Sequence, residues 1–265
     1  MKTKIAIVGL GYVGSKLFDF FTSQGFETYS YDINGSGNIK NIEDLNSKNV
    51  DFAFICVPTP MTKEGECNTS IVEDCIKKIN ANTIVIRSTI SPGTTDRLEK
   101  ETGKNLIFMP EYFGETKNHL LNSMGDRDFF VIGGRKEVRI KLIELLKSIF
   151  DSKNTKFHLV DSITAEIIKY MENSYLATKV LFCEEFYRIC ESFGVDYYQV
   201  REGWLLDPRI NPSHTFPRKD GLPGFGGKCL PKDLSAIITA SKKVGHNPEL
   251  LKQVFDYNKK LRESQ

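Results

Sequence analysis

Histidine is scarce and scattered in this chain: four among 265 residues, at 119, 158, 214 and 246. None of the six cysteines, at 56, 67, 75, 183, 190 and 229, forms a C-x-x-C pair, so no zinc ligand set is expected and no metal is assigned. The same spacing argues against a disulfide framework. No apolar run approaches the roughly 20 residues that a membrane-crossing helix needs, so no membrane partner is expected. Neither sign of charge dominates: 36 Lys plus Arg against 34 Asp plus Glu leave no bulk case for nucleic-acid binding. An apolar strand pattern begins within a few residues of Met1, so no signal peptide is expected, and a cytoplasmic location follows. Internal repeats and low-complexity tracts are also lacking.

What is present is a core-forming chain with 40% apolar residues, long enough for one large or two modest domains. Apolar strand patterns at 4–8, 27–31, 51–57, 83–87, 105–109, 128–132 and 156–160 alternate with helical stretches. That alternation predicts an α/β fold: a Rossmann-like, doubly wound, mainly parallel sheet over residues 1–160. The character then changes. Residues 162–193 keep helical periodicity without proline or glycine, a helix of roughly 45 Å. Further helices are expected at 196–205, 234–243 and 248–262, with a Pro- and Gly-rich loop at 206–230. Residues 161–265 therefore read as a smaller all-helical domain with a long central helix. Cys183 and Cys190, seven apart on that helix, share a face and suit core packing.

Two segments carry the chemistry. Gly9-Leu-Gly11-Tyr-Val-Gly14 follows the first strand and opens a helix, with Asp32 ending the next strand. Gly9 allows the tight turn, Gly11 admits a pyrophosphate and Gly14 lets helix pack on strand, while Asp32 reaches ribose hydroxyls and favours NAD over NADP. At the other end stands Gly224-Phe-Gly-Gly-Lys-Cys229-Leu-Pro-Lys-Asp233. Pro231 suits a first helical turn, which would put Cys229 just ahead of a helix N-terminus, where the thiolate is favoured. Lys228 and Lys232 push the same way, and Asp233 is placed to hold a water or a cation.

Loops after parallel strands gather at the carboxyl edge of the sheet. Three are informative: 57–60 with Thr59, 88–95 with Thr89, and 110–115 with Glu111 and Glu115. Two carboxylates beside a nicotinamide site suit proton transfer. Lys169 and Asn173 lie four apart on the long helix, an ammonium and an amide able to steady an oxyanion. From spacing alone a solvated helical face stays open for them, as does plain turn chemistry for Thr59.

Together GLGYVG at 9–14, VPTP at 57–60, STISPGTT at 88–95, PEYFGE at 110–115, AEIIKYMEN at 165–173, DPRIN at 207–211 and GFGGKCLPKD at 224–233 resemble the UDP-glucose/GDP-mannose dehydrogenase family. The resemblance implies a four-electron oxidation of a nucleotide sugar's C6 alcohol to the carboxylate, UDP-glucose to UDP-glucuronate the first expectation, with NAD as cofactor. It implies that Cys229 forms a thiohemiacetal and then a thioester. Lys169 and Asn173 would stabilise oxyanions, Asp233 and Thr89 would position a water, and Glu111 would assist hydrolysis. Gly9, Gly11, Tyr12, Val13, Gly14, Asp32, Thr59, Thr89 and Glu115 would contact the cofactor. Glu111, Tyr112, Phe113, Lys169, Asn173, Arg209, Phe225 and Gly226 would contact the substrate. It further implies a homodimer through the long helix. Three departures stand out. The chain stops at Gln265, before the third domain that the family usually carries. Gly114 replaces a longer side chain, and the stretch from Arg209 to Cys229 is extended, with His214, Arg218 and Lys219 as plausible phosphate partners or merely a surface loop. A single-step alcohol or hydroxyacid dehydrogenase, or a silent NAD-binding subunit, are the alternatives.

Overall fold

The computed structural model describes residues 2–113, 121, 123–151, 153–218 and 220–263. The chain separates into two compact units: residues 1–60 with 67–169, and residues 61–66 with 170–265.

The first unit is built on seven strands, β1 (Lys4–Val8), β2 (Glu27–Tyr31), β3 (Val50–Ile55), β4 (Ala81–Ile86), β5 (Leu106–Phe108), β6 (Phe129–Gly133) and β7 (Lys156–Val160), in the order β2-β1-β3-β4-β5-β6-β7. All neighbours are parallel except β5 and β6. Between them run α1 (Tyr12–Ser23), α2 (Ile42–Ser47), α3 (Ser70–Lys78), α4 (Thr94–Thr102) and α5 (Lys136–Ile149). The inner strands read as apolar runs because both of their faces are covered, whereas the edge strands β2 and β7 are mixed. On one face Ala6, Val8, Ala53, Ile55, Ile84, Ile86 and Phe108 meet Leu45, Val72, Ile76 and Leu98 of α2, α3 and α4. On the other, Ile5, Ile7, Phe52, Phe54, Val85 and Ile107 meet Leu17 and Phe21 of α1 and Leu142, Leu145 and Leu146 of α5. Each buried Val, Leu, Ile or Phe side chain among these stabilises the fold by about 1.5–3 kcal/mol.

Register decides what the edge presents. Val8 pairs with Tyr31 and Ile55, Ile55 with Ile86, and Ile86 with Phe108. The carboxyl ends of β1 to β5 are thus level, and the glycine turn at 9–14, the loops at 57–60 and 88–95 and the loop that follows β5 leave from this edge. Strand β6 runs the other way, with Gly133 opposite Phe108. Its amino end, with Arg127 just before it, therefore arrives at the same edge.

Helix α6 (Ser162–Phe193) is 32 residues long and contributes its first eight to the first unit. There Glu166, fully buried, caps α4: its carboxylate accepts from the Gly93 amide (2.5 Å), the Thr95 amide (2.9 Å) and the Thr95 hydroxyl (2.6 Å). Burial pushes the Glu166 carboxyl up to about 7, and the three donors offset only part of that. The folded value lies above the usual 4.5, so the folded state holds more protons between those limits, and stability falls as pH rises through that window. Glu166→Gln is expected to flatten this slope, a contribution of up to about 3 kcal/mol, measurable by urea unfolding at a series of pH values. A slope unchanged in the variant would contradict it.

The second unit contains the rest of α6, α7 (Tyr197–Trp204), α8 (Cys229–Lys243) and α9 (Glu249–Glu263). Ala177, Val180 and Leu181 of α6 pack with Phe225, Leu234 and Ile238 and with Val254 and Leu261. Cys183 and Cys190 are buried beside Tyr197, as their spacing foretold. The turn at 61–66 joins this unit through the Ser235 hydroxyl, which donates to the Gly65 carbonyl at 2.9 Å, and through Lys243 paired with Glu66. The loop between α7 and α8 is anchored. Lys179 donates to the Asn211 carbonyl, Tyr197 to the Thr215 carbonyl, and Arg201 to the Thr215 hydroxyl while stacking on Phe216 at 3.8 Å.

Candidate active site

In the first unit the glycine turn has the geometry its spacing implied. Gly9 has φ +89°, and a Cβ there would fall 2.8 Å from the Cys56 carbonyl oxygen. At Gly14 a Cβ would fall 1.8 Å from the Gly9 carbonyl oxygen, whereas at Gly11 it would meet open space. No side chain caps α1, whose N-cap is Gly11, so its first amides face that space. The Asp32 carboxylate braces the turn by accepting from the Leu10 amide at 2.6 Å and keeps acceptor capacity for hydroxyls. Tyr12 is exposed and Val13 half-buried behind it. An uncapped helix start, a side-chain-free approach and an acid at the end of β2 fit the pyrophosphate and ribose of a dinucleotide. Gly14→Ala has no space to occupy. It is expected to destabilise the protein by about 1–3 kcal/mol or more, seen as a lowered Tm, and to weaken NAD binding; an unchanged Tm would contradict this contact.

Thr59 and Thr89 are brought together: the Thr59 hydroxyl donates to the Thr89 carbonyl at 2.8 Å, and the Cys67 thiol donates to the same oxygen at 3.2 Å. Lys169 is buried, with its ammonium 4.8 Å from the centre of the Tyr112 ring. The solvated-face alternative therefore fails for Lys169, and for Asn173, which is buried too.

Glu111 departs from its expected role. Its carboxylate accepts from Arg87, from Arg127 and from the amides of Tyr112 (2.5 Å) and Phe113 (2.7 Å). Burial alone would raise its pKa, but the two guanidinium charges and the amides outweigh it and hold the carboxyl below its usual range. A carboxylate engaged in this way is a fixed anion and a poor proton acceptor. Arg87 also donates to the carbonyls of Met109 (2.8 Å) and Pro110 (3.2 Å). Burial pulls the Arg127 guanidinium down to about 10 in spite of Glu111. Neither arginine was singled out from the sequence. A charged residue ending the apolar run of β4 was the available signal for Arg87; nothing local marked Arg127. Glu115, Gly114 and Lys219 lie outside the described residues.

In the second unit Cys229 stands apart from the five other cysteines of the chain. Cys67, Cys75, Cys183 and Cys190 are buried, and burial pushes the Cys56 thiol up to about 12. Cys229 alone is exposed. It is the first residue of α8 and not the residue ahead of it, with Pro231 third, where a missing N–H costs nothing. Asp233, one turn on, is buried and accepts from the Asn173 side-chain amide and from Lys232. Asn173 and Asp233, chosen separately from the sequence, are thus partners, and Lys232 completes them.

Two expected contacts are narrowed by the packing. Phe225 is mostly core: it is buried, its amide and carbonyl both pair with the Asn258 side chain (2.7 and 3.0 Å), and only an edge of it reaches a cavity. Arg218 is not available to a phosphate, because it pairs with Glu184 (3.1 Å) and Glu191 (3.6 Å) and stacks on Tyr187 at 4.2 Å. His214 is held at 2.7 Å by the Ser213 hydroxyl. Arg209 is exposed and bonded to Asp207. Phe225 and Gly226 border a cavity of about 340 Å³ that Gly227, Pro231, Phe255, Asn258, Lys259 and Arg262 complete. Among the described residues no group of His, Cys, Asp and Glu could hold a metal, and no helix is long and apolar enough to cross a membrane.

Residues 35–153 match the NAD binding domain of the UDP-glucose/GDP-mannose dehydrogenase family, and residues 163–260 match its central domain. The chain belongs to this family. NAD is the cofactor of its first domain. Over 98% of its length the chain is 30% identical to a UDP-glucose 6-dehydrogenase of Bacillus subtilis, of which it spans 63%. It is 31% identical over 96% of its length to a UDP-N-acetyl-D-mannosamine dehydrogenase of Methanocaldococcus jannaschii, spanning 65% of that protein. A UDP-glucose dehydrogenase from the hyperthermophilic archaeon Pyrobaculum islandicum superposes with a TM-score of 0.79 at 25% identity, over 97% of this chain and 68% of that one. The family member described here thus spans about two thirds of the length of these relatives.

Proposed function

We propose that the protein is a cytoplasmic NAD-dependent nucleotide-sugar 6-dehydrogenase that carries UDP-glucose to UDP-glucuronate, a four-electron oxidation. The observation that carries this reading is an exposed thiol on the first residue of α8, one turn from a buried carboxylate tied to Asn173 and Lys232. Hydride transfer alone needs no thiol; taking an aldehyde on to an acid without releasing it does. NAD, held at Gly9–Gly14 and Asp32, would accept a hydride from the sugar C6 in each of two rounds.

The chain's own residues supply the rest. The Cys229 sulfur adds to the aldehyde carbon, giving a thiohemiacetal whose oxidation leaves a thioester. Water then cleaves the thioester, releasing the carboxylate and restoring the thiol. Lys169 and Asn173 steady the oxyanion formed at each stage. Thr89 and Asp233 position the water. Glu111, tied to two guanidinium groups, holds Tyr112 and Phe113 in place and leaves proton transfer to water. Arg209 contacts the substrate, and Gly226 borders it. Met171, Tyr175, Phe182, Phe186 and Phe193 form an exposed apolar stripe along α6, which supports a homodimer through this helix.

The test is an absorbance assay with NAD and a panel of UDP-glucose, UDP-N-acetylmannosamine and GDP-mannose. Oxidation fastest with UDP-glucose is expected. Preference for another sugar would correct the substrate, and no oxidation of any would overturn the activity.

A further inference from the structure

Cations and rings alternate along the sheet edge of the first unit. The Lys16 ammonium lies 4.6 Å from the centre of the Tyr12 ring and 5.7 Å from that of Phe113. The Arg127 guanidinium lies 4.7 Å from Phe113 and 5.3 Å from Tyr112. The Lys169 ammonium lies 4.8 Å from Tyr112. The series begins on the glycine turn and ends on the lysine proposed to steady the oxyanion. Arg127 sits at its centre and is the member locked from behind, by Glu111, which is itself held by Arg87. The Arg127 Nε finds no acceptor among the described residues, and the guanidinium carbon lies over both rings. Phe129 closes the far side of Tyr112 edge-on, with ring centres 5.1 Å apart.

We propose that Arg127 is a positioning residue of the dehydrogenase proposed above: pinned by Glu111 and stacked on Phe113 and Tyr112, it sets the ring that places the Lys169 ammonium. The inference rests on that functional reading. The geometric reason lies in the topology. Because β6 is antiparallel to β5, the residue just before β6 reaches the loop that follows β5. A flat guanidinium can bond a carboxylate in its plane while stacking above and below it. A lysine keeps the charge and can reach Glu111, but it has no plane to lay against a ring.

The test combines kinetics with a spectroscopic readout of Lys169 itself. In protein labelled with ¹³C-lysine, the Lys169 Hε signals, assigned with Lys169→Arg, are expected upfield of other lysines because they face a ring. Arg127→Met is expected to collapse that shift and to lower kcat about 10- to 100-fold, the scale of an ångström-sized misplacement, while KM for NAD stays within about threefold. Arg127→Lys, which keeps the charge and serves if the methionine variant does not fold, is expected to recover neither in full. Full rescue of shift and kcat by lysine would overturn the proposal, since Arg127 would then be only a counter-ion for Glu111. Retention of the shift in Arg127→Met would overturn it as well. A wild type that oxidises no nucleotide sugar would instead overturn the functional reading, and the NMR comparison would still report on the stacking.

Discussion

Cys229→Ser is expected to lower carboxylate formation by about 1,000-fold or more while leaving the fold intact. The sulfur is exposed at the start of α8, so an oxygen in its place creates no cavity and strands no buried polar group. What changes is the chemistry. A thiol is a few per cent ionised near neutrality and intrinsically nucleophilic, whereas a serine hydroxyl needs an adjacent base. Among the described residues, the carboxylate one turn on along α8, Asp233, is already engaged by Asn173 and Lys232. Acyl transfer to serine should therefore be slow, and any ester formed should persist long enough to appear as a mass increase on the intact chain. Steady-state turnover, circular dichroism and intact mass check the three parts together. Turnover within tenfold of wild type would remove the thiol from the mechanism and favour a single-step dehydrogenase.

Glu111→Gln is expected to be the most destabilising single change at the sheet edge, by about 3–5 kcal/mol. It leaves Arg87 and Arg127, both buried, without their shared counter-charge. The amides of Tyr112 and Phe113 also lose an anionic acceptor. The pH dependence carries the signature. The folded carboxyl is held below the usual 4.5, so its stabilisation is fully present above that value and is lost as pH falls through the folded pKa. The glutamine variant should lack this acid-side loss. Glu166 has the opposite slope, losing stability as pH rises from 4.5 towards 7. The two carboxyls therefore oppose each other, Glu111 favouring pH above 4.5 and Glu166 favouring pH below it. Urea unfolding at several pH values separates them; equal stability of Glu111→Gln and wild type at pH 7 would contradict the buried triad.

The inner strands were legible because they are apolar on both faces, and β1, β2 and β7 fall at the positions expected from the pattern. Helix α6 was legible to both ends because neither proline nor glycine interrupts it before Gly194. The direction of β6 was not legible: an apolar run carries no mark of orientation, and without it Arg127 could not be placed beside Glu111. The same limit applied to the loop before α8. Its composition reads as surface, while what anchors it are pairs far apart in sequence, Lys179 with Asn211 and Glu184 with Arg218. Phe225 stood in a substrate-like motif, yet Asn258 of α9 draws it into the core. Among the motif residues, Asn173 and Asp233 were found singly, and only the packing of α6 on α8 made them a pair.

Counting NADH per molecule of UDP-glucose consumed, with the carboxylate product quantified in the same reaction, tests the four-electron claim most directly. Two NADH and one UDP-glucuronate per sugar are expected. One NADH per sugar with an aldehyde or ketone released would contradict it.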